Sequence, residues 1–143
     1  MGVKTYDASQ VAMVFGPIEI SDGLADGTFV SIEQNEDSFL LMVGADGEAC
    51  RAKSNNKSGR VTFTLLQSSL ANDLLSATHN LDVASPNGDG IAPLLVKDNS
   101  GRTIVAAEKA WVVRQPTVEF AREVSTREWI IESDALQSVF GGN

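Results

Sequence analysis

Apolar residues recur at every second position through most of this chain, and Gly, Asn, Asp and Pro separate the runs at short intervals. Successive side chains of a β-strand point to opposite faces of a sheet, so this period predicts strands with one buried face. The clearest run is Gly59–Leu66, where Val61, Phe63 and Leu65 alternate with residues that are mostly polar. The chain is therefore predicted to be mainly β.

Other runs of the same kind predict further strands, which are Val11–Phe15, 18–20, 28–34, 38–43, 91–97, 103–113, 118–122 and 127–132. The turn residues 35–37 predict a hairpin that brings strand 38–43 back along the chain, where it is expected to pair with Gly59–Leu66. Strand 38–43 is apolar at every position from Phe39 to Val43, so both of its faces are expected to be covered.

One segment departs from the period of two. Residues 69–81 place Leu70, Leu74, Ala77 and Leu81 three or four positions apart, which predicts a single helix with Ser68 or Ser69 as its N-cap. Val118 and Phe120 are expected to point inward from their strand. The rest of the predicted core consists of Val30, Ile32, Phe39, Leu41, Val61, Phe63, Leu65, Leu70, Leu74, Trp129 and Ile131.

The size and composition limit what the chain can be. At 143 residues with 43% hydrophobic side chains it fits one domain, residues 1–143, that buries its own core. The longest apolar stretch is much shorter than the roughly 20 residues of a membrane helix, and no secretory signal is visible, so no membrane partner is expected. A single cysteine, Cys50, fits synthesis in a reducing compartment.

The charge is unevenly distributed. Residues 1–48 hold nine acidic residues against one base, whereas the rest of the chain holds ten of each. The net charge of −8 excludes a broadly basic surface for gripping nucleic acid. Residues 44–59 contain a short basic stretch and no apolar period, which predicts a long loop, and loops of this length are usually functional or disordered. Opposed charges in neighbouring segments suggest either a solvated acidic face or head-to-tail self-association.

The residues that carry chemistry do not assemble into a site. With one His and one Cys, nucleophile–base pairs and zinc sites have no second member. The turn around Asp89 lacks the spacing of a calcium loop, and the Gly44–Gly47 segment lacks the Lys of a phosphate loop. We therefore expect no enzyme activity, no catalytic residue, no cofactor and no metal.

Three segments carry a family resemblance: DGTFVSIEQNEDSFLLMVGADGEACRAKSNNKSGRVTFTLLQSSLANDLLSA at 26–77, NGDGIAPLLVKDNSGRTIVAAEKAWVV at 87–113, and VEFAREVSTREWIIESD at 118–134. Together they cover most of the chain. It resembles the tail tube proteins of contractile-tailed bacteriophages (the inner tube of myoviruses), whose fold is similar to that of the type VI secretion tube.

The resemblance implies a β-sandwich or barrel-like fold with one flanking helix, whose strands join a barrel shared among subunits. It implies six-membered rings that stack into a tube, serving as the conduit for DNA ejection, with DNA passing through without specific binding. The implied partners are further copies of the chain, the tail sheath protein, the tape measure protein, and the baseplate and neck proteins. The implied location is the virion, after synthesis in the cytoplasm of the bacterial host.

Carried onto this sequence, the resemblance assigns the lumen-lining sheet to residues 28–35, 39–43, 59–66 and 127–132. Alternation within these strands turns four side chains toward the channel, namely Ser31, Glu33, Thr62 and Thr64. Residues 46–58 are expected to be the ring-stacking loop, in which bases of one ring meet acids of the next. The residues in this contact would be Arg51, Lys53, Lys57, Asp22, Asp26, Glu36 and Asp37.

Three other functions compete with a phage tube. A monomeric β-sandwich module could bind a small ligand through Trp111, Trp129 or the Asp89 turn. The chain could also form the tube of a type VI-like contractile injection system. A hydrolase would need two carboxylates at a fixed separation in a cleft, and nothing in the sequence places two of them there.

Overall fold

A computed structural model describes residues 2–142 and contains ten strands, one α-helix and a short 3₁₀ turn, Ala8–Gln10. The strands are β1 Val11–Phe15, β2 Ile18–Glu19, β3 Val30–Gln34, β4 Phe39–Val43, β5 Ala49–Lys53, β6 Gly59–Leu66, β7 Ala92–Asp98, β8 Ile104–Arg114, β9 Thr126–Ser133 and β10 Gln137–Val139. The helix, α1, is Ala71–Ala84. The predicted mainly β fold with one helix is confirmed.

Eight strands form one antiparallel sheet, in the order β2-β1-β7-β8-β9-β6-β3, with β10 also paired to β8. The 11-residue β8 pairs with β7 along one edge and with β9 and β10 along the other. Its pairing shifts register near Ala92 and again near Val112. Bulges of this kind bend a sheet, and here the two halves of the sheet close around a single core.

The core combines the inward faces of both halves. Met13 and Phe15 come from β1, and Val61, Phe63 and Leu65 come from β6, all of them essentially inaccessible to solvent. Trp129 and Ile131 of β9 join the same cluster, while Val30 and Ile32 are partly buried at its edge. The predicted phase of β3, β6 and β9 is therefore confirmed.

The helix packs with a different face from the one expected. Ala71 and Leu75 are buried, whereas Leu70 and Leu74 lie on the surface, so the expectation that these two leucines join the core is wrong. The small Ala71 side chain and the hydrogen bond from Trp129 Nε1 to Asn72 Oδ1, at 2.8 Å, fix this face against the sheet. The helix begins two residues later and ends three residues later than predicted. Its N-cap is Leu70, which makes no side-chain cap bond, so the expected Ser68 or Ser69 cap is wrong, although the Ser69 hydroxyl accepts from the Ala71 N–H.

Strand β4 is not part of the main sheet. It pairs with β5 in a separate two-stranded hairpin, while β6 pairs with β3 and β9, so the expected pairing of β4 with β6 is wrong. The tight turn Gly44–Glu48, in which Gly47 has a φ of +85°, turns the chain back inside the segment that was expected to be a loop. Phe39 and Leu41 are exposed in this hairpin, so their assignment to the core is also wrong.

Residues 118–122 do not form a strand. They lie in the connection between β8 and β9, and Phe120 is 86% exposed, which contradicts the expected inward pair of Val118 and Phe120. Polar contacts hold this connection in place: the Ser125 hydroxyl donates to the Glu119 carbonyl at 3.0 Å, and the Ser125 N–H donates to Gln67 Oε1 at 3.2 Å. These bonds replace the ladder that a strand would need.

Phe63 and Phe39, which the sequence predicts to lie in the core alike, give a matched test of the core that the structure shows. Phe63→Ala removes a fully buried ring and should lower the free energy of unfolding by about 3 to 5 kcal/mol. Phe39→Ala removes a ring exposed in the free subunit and should lower it by less than about 1 kcal/mol. Urea denaturation of the monomeric subunit measures both, and equal effects of the two substitutions would contradict the core described here.

Candidate functional site

The sheet β3-β6-β9 has two chemically different faces. Burial of Val61, Phe63 and Leu65 turns the intervening residues of β6 to the opposite face. Cross-strand pairing then collects polar side chains there, because residues directly opposite each other in an antiparallel ladder share a face. The polar members of this face are Ser31, Glu33, Arg60, Thr62, Thr64, Glu128 and Glu132, and the same alternation places the apolar residues Leu66 and Ile130 there as well.

The four residues expected to line a lumen are all on this polar face. Ser31 lies directly opposite Thr62, and Glu33 lies opposite Arg60. Ser31 and Glu33 are exposed, whereas Thr62 and Thr64 are half-buried between the neighbouring strands. Strand β4, expected to belong to the same sheet, lies outside it.

An ion pair crosses the polar face. Arg60 donates to Glu132 Oε1 through Nη2 at 2.6 Å and through Nε at 3.1 Å. The hydrogen bonds and charge of this carboxylate raise the pKa of the Arg60 guanidinium above its ordinary value. Glu33 and Glu128 add two more carboxylates on this face, so it carries net negative charge. Sequence alternation gave no register between strands, and so it did not select Arg60, Glu128 and Glu132.

The second surface is the β4–β5 hairpin, whose ten residues are all exposed. One face is entirely apolar and consists of Leu40, Met42, Cys50 and Ala52. On the other face Arg51 and Lys53 lie opposite Leu41 and Phe39, and the Arg51 guanidinium carbon is 4.1 Å from the centre of the Phe39 ring. So large an exposed apolar area is typical of a surface that another protein covers.

Side-chain hydrogen bonds connect the hairpin to the sheet. Glu36 Oε2 accepts from Asn56 Nδ2 at 2.7 Å, and Glu36 Oε1 accepts from the Ser54 hydroxyl at 3.2 Å. Gln34 Nε2 donates to the Glu36 carbonyl at 2.6 Å and to the Ser38 hydroxyl at 2.8 Å. Glu36 therefore joins the two chain segments that lead into and out of the hairpin. We call this group the hairpin joint.

The residues expected to stack rings lie at two ends of the molecule. Arg51, Lys53 and Lys57 are on or beside the hairpin, next to the Gly59 end of β6. Asp22 and Asp26 flank a segment bonded to the other end of β6, where Leu66 donates to the Gly23 carbonyl. Glu36 and Asp37 lie at the base of the hairpin, on the same side as the bases.

The chain shows neither a metal cluster nor a membrane helix in its described part. Across residues 2–142, His, Cys, Asp and Glu side chains do not form a group of three or more that could hold a metal ion. Over the same residues, no helix is both long and apolar enough to cross a membrane.

The sequence matches a known family over nearly its whole length. Residues 8–141 match the family described as bacteriophage PhiTE tail tube protein. The chain belongs to this family of phage tail tube proteins. The tube protein is also 33% identical over 145 residues to structural protein ORF10 of Pseudomonas phage KPP10, with 98% of this chain and 84% of the relative covered.

Solved structures of contractile injection systems share the fold of the tube protein. The tube-terminating cap of the anti-feeding prophage matches with a TM-score of 0.60 at 8% identity, covering 97% of this chain and 94% of that one. The sheath–tube complex of the extracellular contractile injection system PVC, in its extended state, matches with a TM-score of 0.56 at 10% identity, covering 94% and 91%. Family and fold therefore agree with the resemblance identified from the sequence.

The hairpin joint predicts a local effect of one substitution. Glu36→Ala removes both carboxylate acceptors, so the amide hydrogens of β4 and β5 should exchange faster with solvent. The melting temperature should change little, because the hairpin buries no residue in the core. Hydrogen-exchange mass spectrometry compares the hairpin strands with the core strands in one experiment, and thermal denaturation gives the melting temperature. Asp37→Ala is the control that removes an equal charge one residue away, and equal exchange in the two variants would contradict the role of Glu36.

Proposed function

We propose that the tube protein forms six-membered rings that stack into the inner tail tube of a phage virion, through which DNA is ejected into the host. The observation that carries this proposal is the two-faced sheet β3-β6-β9, with a buried apolar face and a polar face that is net negative. Membership of a tail tube family supports it. As a structural protein of this kind, the subunit needs no catalytic site.

The polar face has the chemistry required of a DNA conduit. Four adjacent strands, β8, β9, β6 and β3, are available from each subunit. Six copies spaced at about 4.8 Å per strand and tilted moderately would close a barrel roughly 45 Å across, wide enough for a duplex. Carboxylates and hydroxyls repel or weakly contact phosphates, so DNA would meet no point of strong attachment along the wall.

With the polar face in the lumen, the helix lies on the outside of the tube. Trp129 projects from the core face of β9 and donates to Asn72 of α1, which places the helix on the side of the sheet opposite Glu33 and Glu128. The outer surface, including the exposed Leu70 and Leu74, is then available to a tail sheath protein. Tape measure, baseplate and neck proteins would meet the lumen or the tube ends.

Stacking of rings is supported by the placement of charge at the two ends of the β6–β9 ladder. The hairpin end carries the bases Arg51, Lys53 and Lys57 together with the acids Glu36 and Asp37, and the other end carries Asp22 and Asp26, so of the four predicted acids Asp22 and Asp26 are the two placed to meet these bases across rings. A ring that stacks on an identical ring with the same orientation brings unlike ends together. Each exposed pair contributes only about 0.2 to 1 kcal/mol, but every ring repeats the contact in each subunit.

Charge reversal in the hairpin tests both assembly and the stacking contact. Purified parent protein should form rings and tubes in negative-stain images, whereas a ligand-binding module would stay monomeric. The triple variant Arg51→Glu, Lys53→Glu and Lys57→Glu should form isolated rings at low salt, because like charges would then face each other. Tubes of the parent length and number at both low and high salt would place the stacking contact elsewhere.

A second experiment tests the lumen. Ser31→Lys with Thr62→Lys adds two positive charges on adjacent polar-face positions, so variant tubes should retain duplex DNA at low salt and release it at high salt. Val83→Lys adds a charge on the exposed helix surface and is the control. Retention of DNA is measured by sedimenting the tubes with short labelled duplexes. These duplexes are too large to bind between rings. Equal retention by the helix variant would contradict a lumen at this face.

A further inference from the structure

Phe120 is presented to solvent by a braced segment. The residue is 86% exposed, and the Arg127 guanidinium carbon lies 5.6 Å from the centre of its ring. Arg127, itself buried, donates from Nη1 to the Ser125 hydroxyl at 2.7 Å, and Ser125 in turn is bonded to Glu119 and Gln67. An apolar ring held in one place outside the core is typical of an anchor that enters a partner. Glu119 and Glu123 lie near it in the sequence, with Arg122 between them, so residues 119–123 carry a net charge of −1.

A groove with a partly apolar and partly basic lining lies between the hairpin and the C-terminal strand β10. Its volume is about 270 Å³, larger than the roughly 150 Å³ of an apolar cavity that accepts benzene. The apolar part of the lining comes from Ile32, Phe39, Leu136 and Phe140. Lys53 and Lys57 also line it, against one carboxylate, that of Glu33, so the groove favours an acidic segment with an aromatic residue.

The groove and Phe120 lie at opposite ends of the same two strands. The groove includes Ser58 and Leu136, beside the pair Gly59 and Ser133. Ser125 is bonded to Gln67, beside the pair formed by Leu66 and Thr126 at the other end. The ladder between them spans about 25 Å. A chain cannot fill its own groove across that distance, but a second copy in the same orientation presents Phe120 at the required end.

We infer that Phe120 of one copy packs into the groove between the hairpin and the C-terminal strand of a copy in the next ring, with Glu119 and Glu123 beside Lys53 and Lys57. This inference rests on the proposed function, and it assigns ring stacking an apolar anchor in addition to the hairpin charges. The contact is heterologous, since it joins two different surfaces of the same chain. Contacts of this type build open filaments when they do not close into a ring.

Substitution of the anchor gives the first test. Phe120→Ala should raise the protein concentration needed for tube formation by about 10- to 100-fold, the factor that corresponds to burial of one aromatic ring. The melting temperature of the free subunit should stay unchanged, because the ring is exposed there. Val118→Ala, a smaller exposed residue of the same segment, is the matched control and should leave tube formation near the parent level.

Cysteine crosslinking gives the second test. In a Cys50→Ala background, Ala121→Cys places a thiol next to Phe120 and Ser138→Cys places one in the groove. Mild oxidation of assembled protein should give a ladder of disulfide-linked species extending beyond six subunits. Adding Phe120→Ala should abolish the ladder, and pairing Ala121→Cys with Lys97→Cys, on the exposed side of β7, should give none.

The outcomes separate this contact from the proposed function. Parent tubes without a ladder, together with normal tubes from Phe120→Ala, would overturn the contact and leave the tube function standing. A ladder that stops at six subunits would place the contact within a ring and overturn its role in stacking. A parent protein that stays monomeric at every concentration and salt tested would overturn both the proposed function and the contact.

Discussion

Burial of one face of β6 is the constraint from which the other surfaces follow. Val61, Phe63 and Leu65 are fully enclosed between β3, β9 and the opposite half of the curled sheet. Because side chains alternate, their burial leaves Thr62 and Thr64 on the other face, and the register with β3 and β9 brings carboxylates beside them. A slip of one residue would exchange the core and the polar face together.

The sequence predicts the buried strands well and the exposed apolar segments poorly, for the same reason. Alternation in β6 turns Val61, Phe63 and Leu65 inward, and in β9 it turns Trp129 and Ile131 inward although Ile130 between them is also apolar; the structure adopts this arrangement. In β4 and around Phe120 the apolar residues face solvent in the free subunit, so the rule that they turn inward gives the wrong answer. In α1 two adjacent apolar stripes compete, and contacts with distant residues, such as those of Asn72 with Trp129 and of Ser76 with Gln115, select the one that is buried.

The residues of the candidate surfaces differ in a similar way. Some are predicted from the pattern of a single strand, and others depend on pairing between distant parts of the chain. Alternation alone places Ser31, Glu33, Thr62 and Thr64 on one face, because this depends on each strand separately. The ion pair of Arg60 with Glu132 joins residues 72 positions apart, and it requires the register of β6 and β9. The acidic first third of the chain is likewise not one patch, since Glu36 is engaged in the hairpin joint while Asp22 lies at the far end of β6.

The exposed hairpin also affects whether the free subunit avoids aggregation before assembly. Strand β4 reads FLLMV, without charge, proline or glycine, and its outer edge is unpaired within the two-stranded hairpin of the described chain. Segments of this composition with a free edge readily add a further strand from another molecule, which leads to irregular aggregates. Arg51, held over Phe39, and Lys53 are the charged residues of the hairpin that oppose this pairing. Growth of an ordered tube therefore has to be faster than disordered aggregation through the same surface. For the yield of the proposed tube, the rate of nucleation matters as much as the stability of the finished tube.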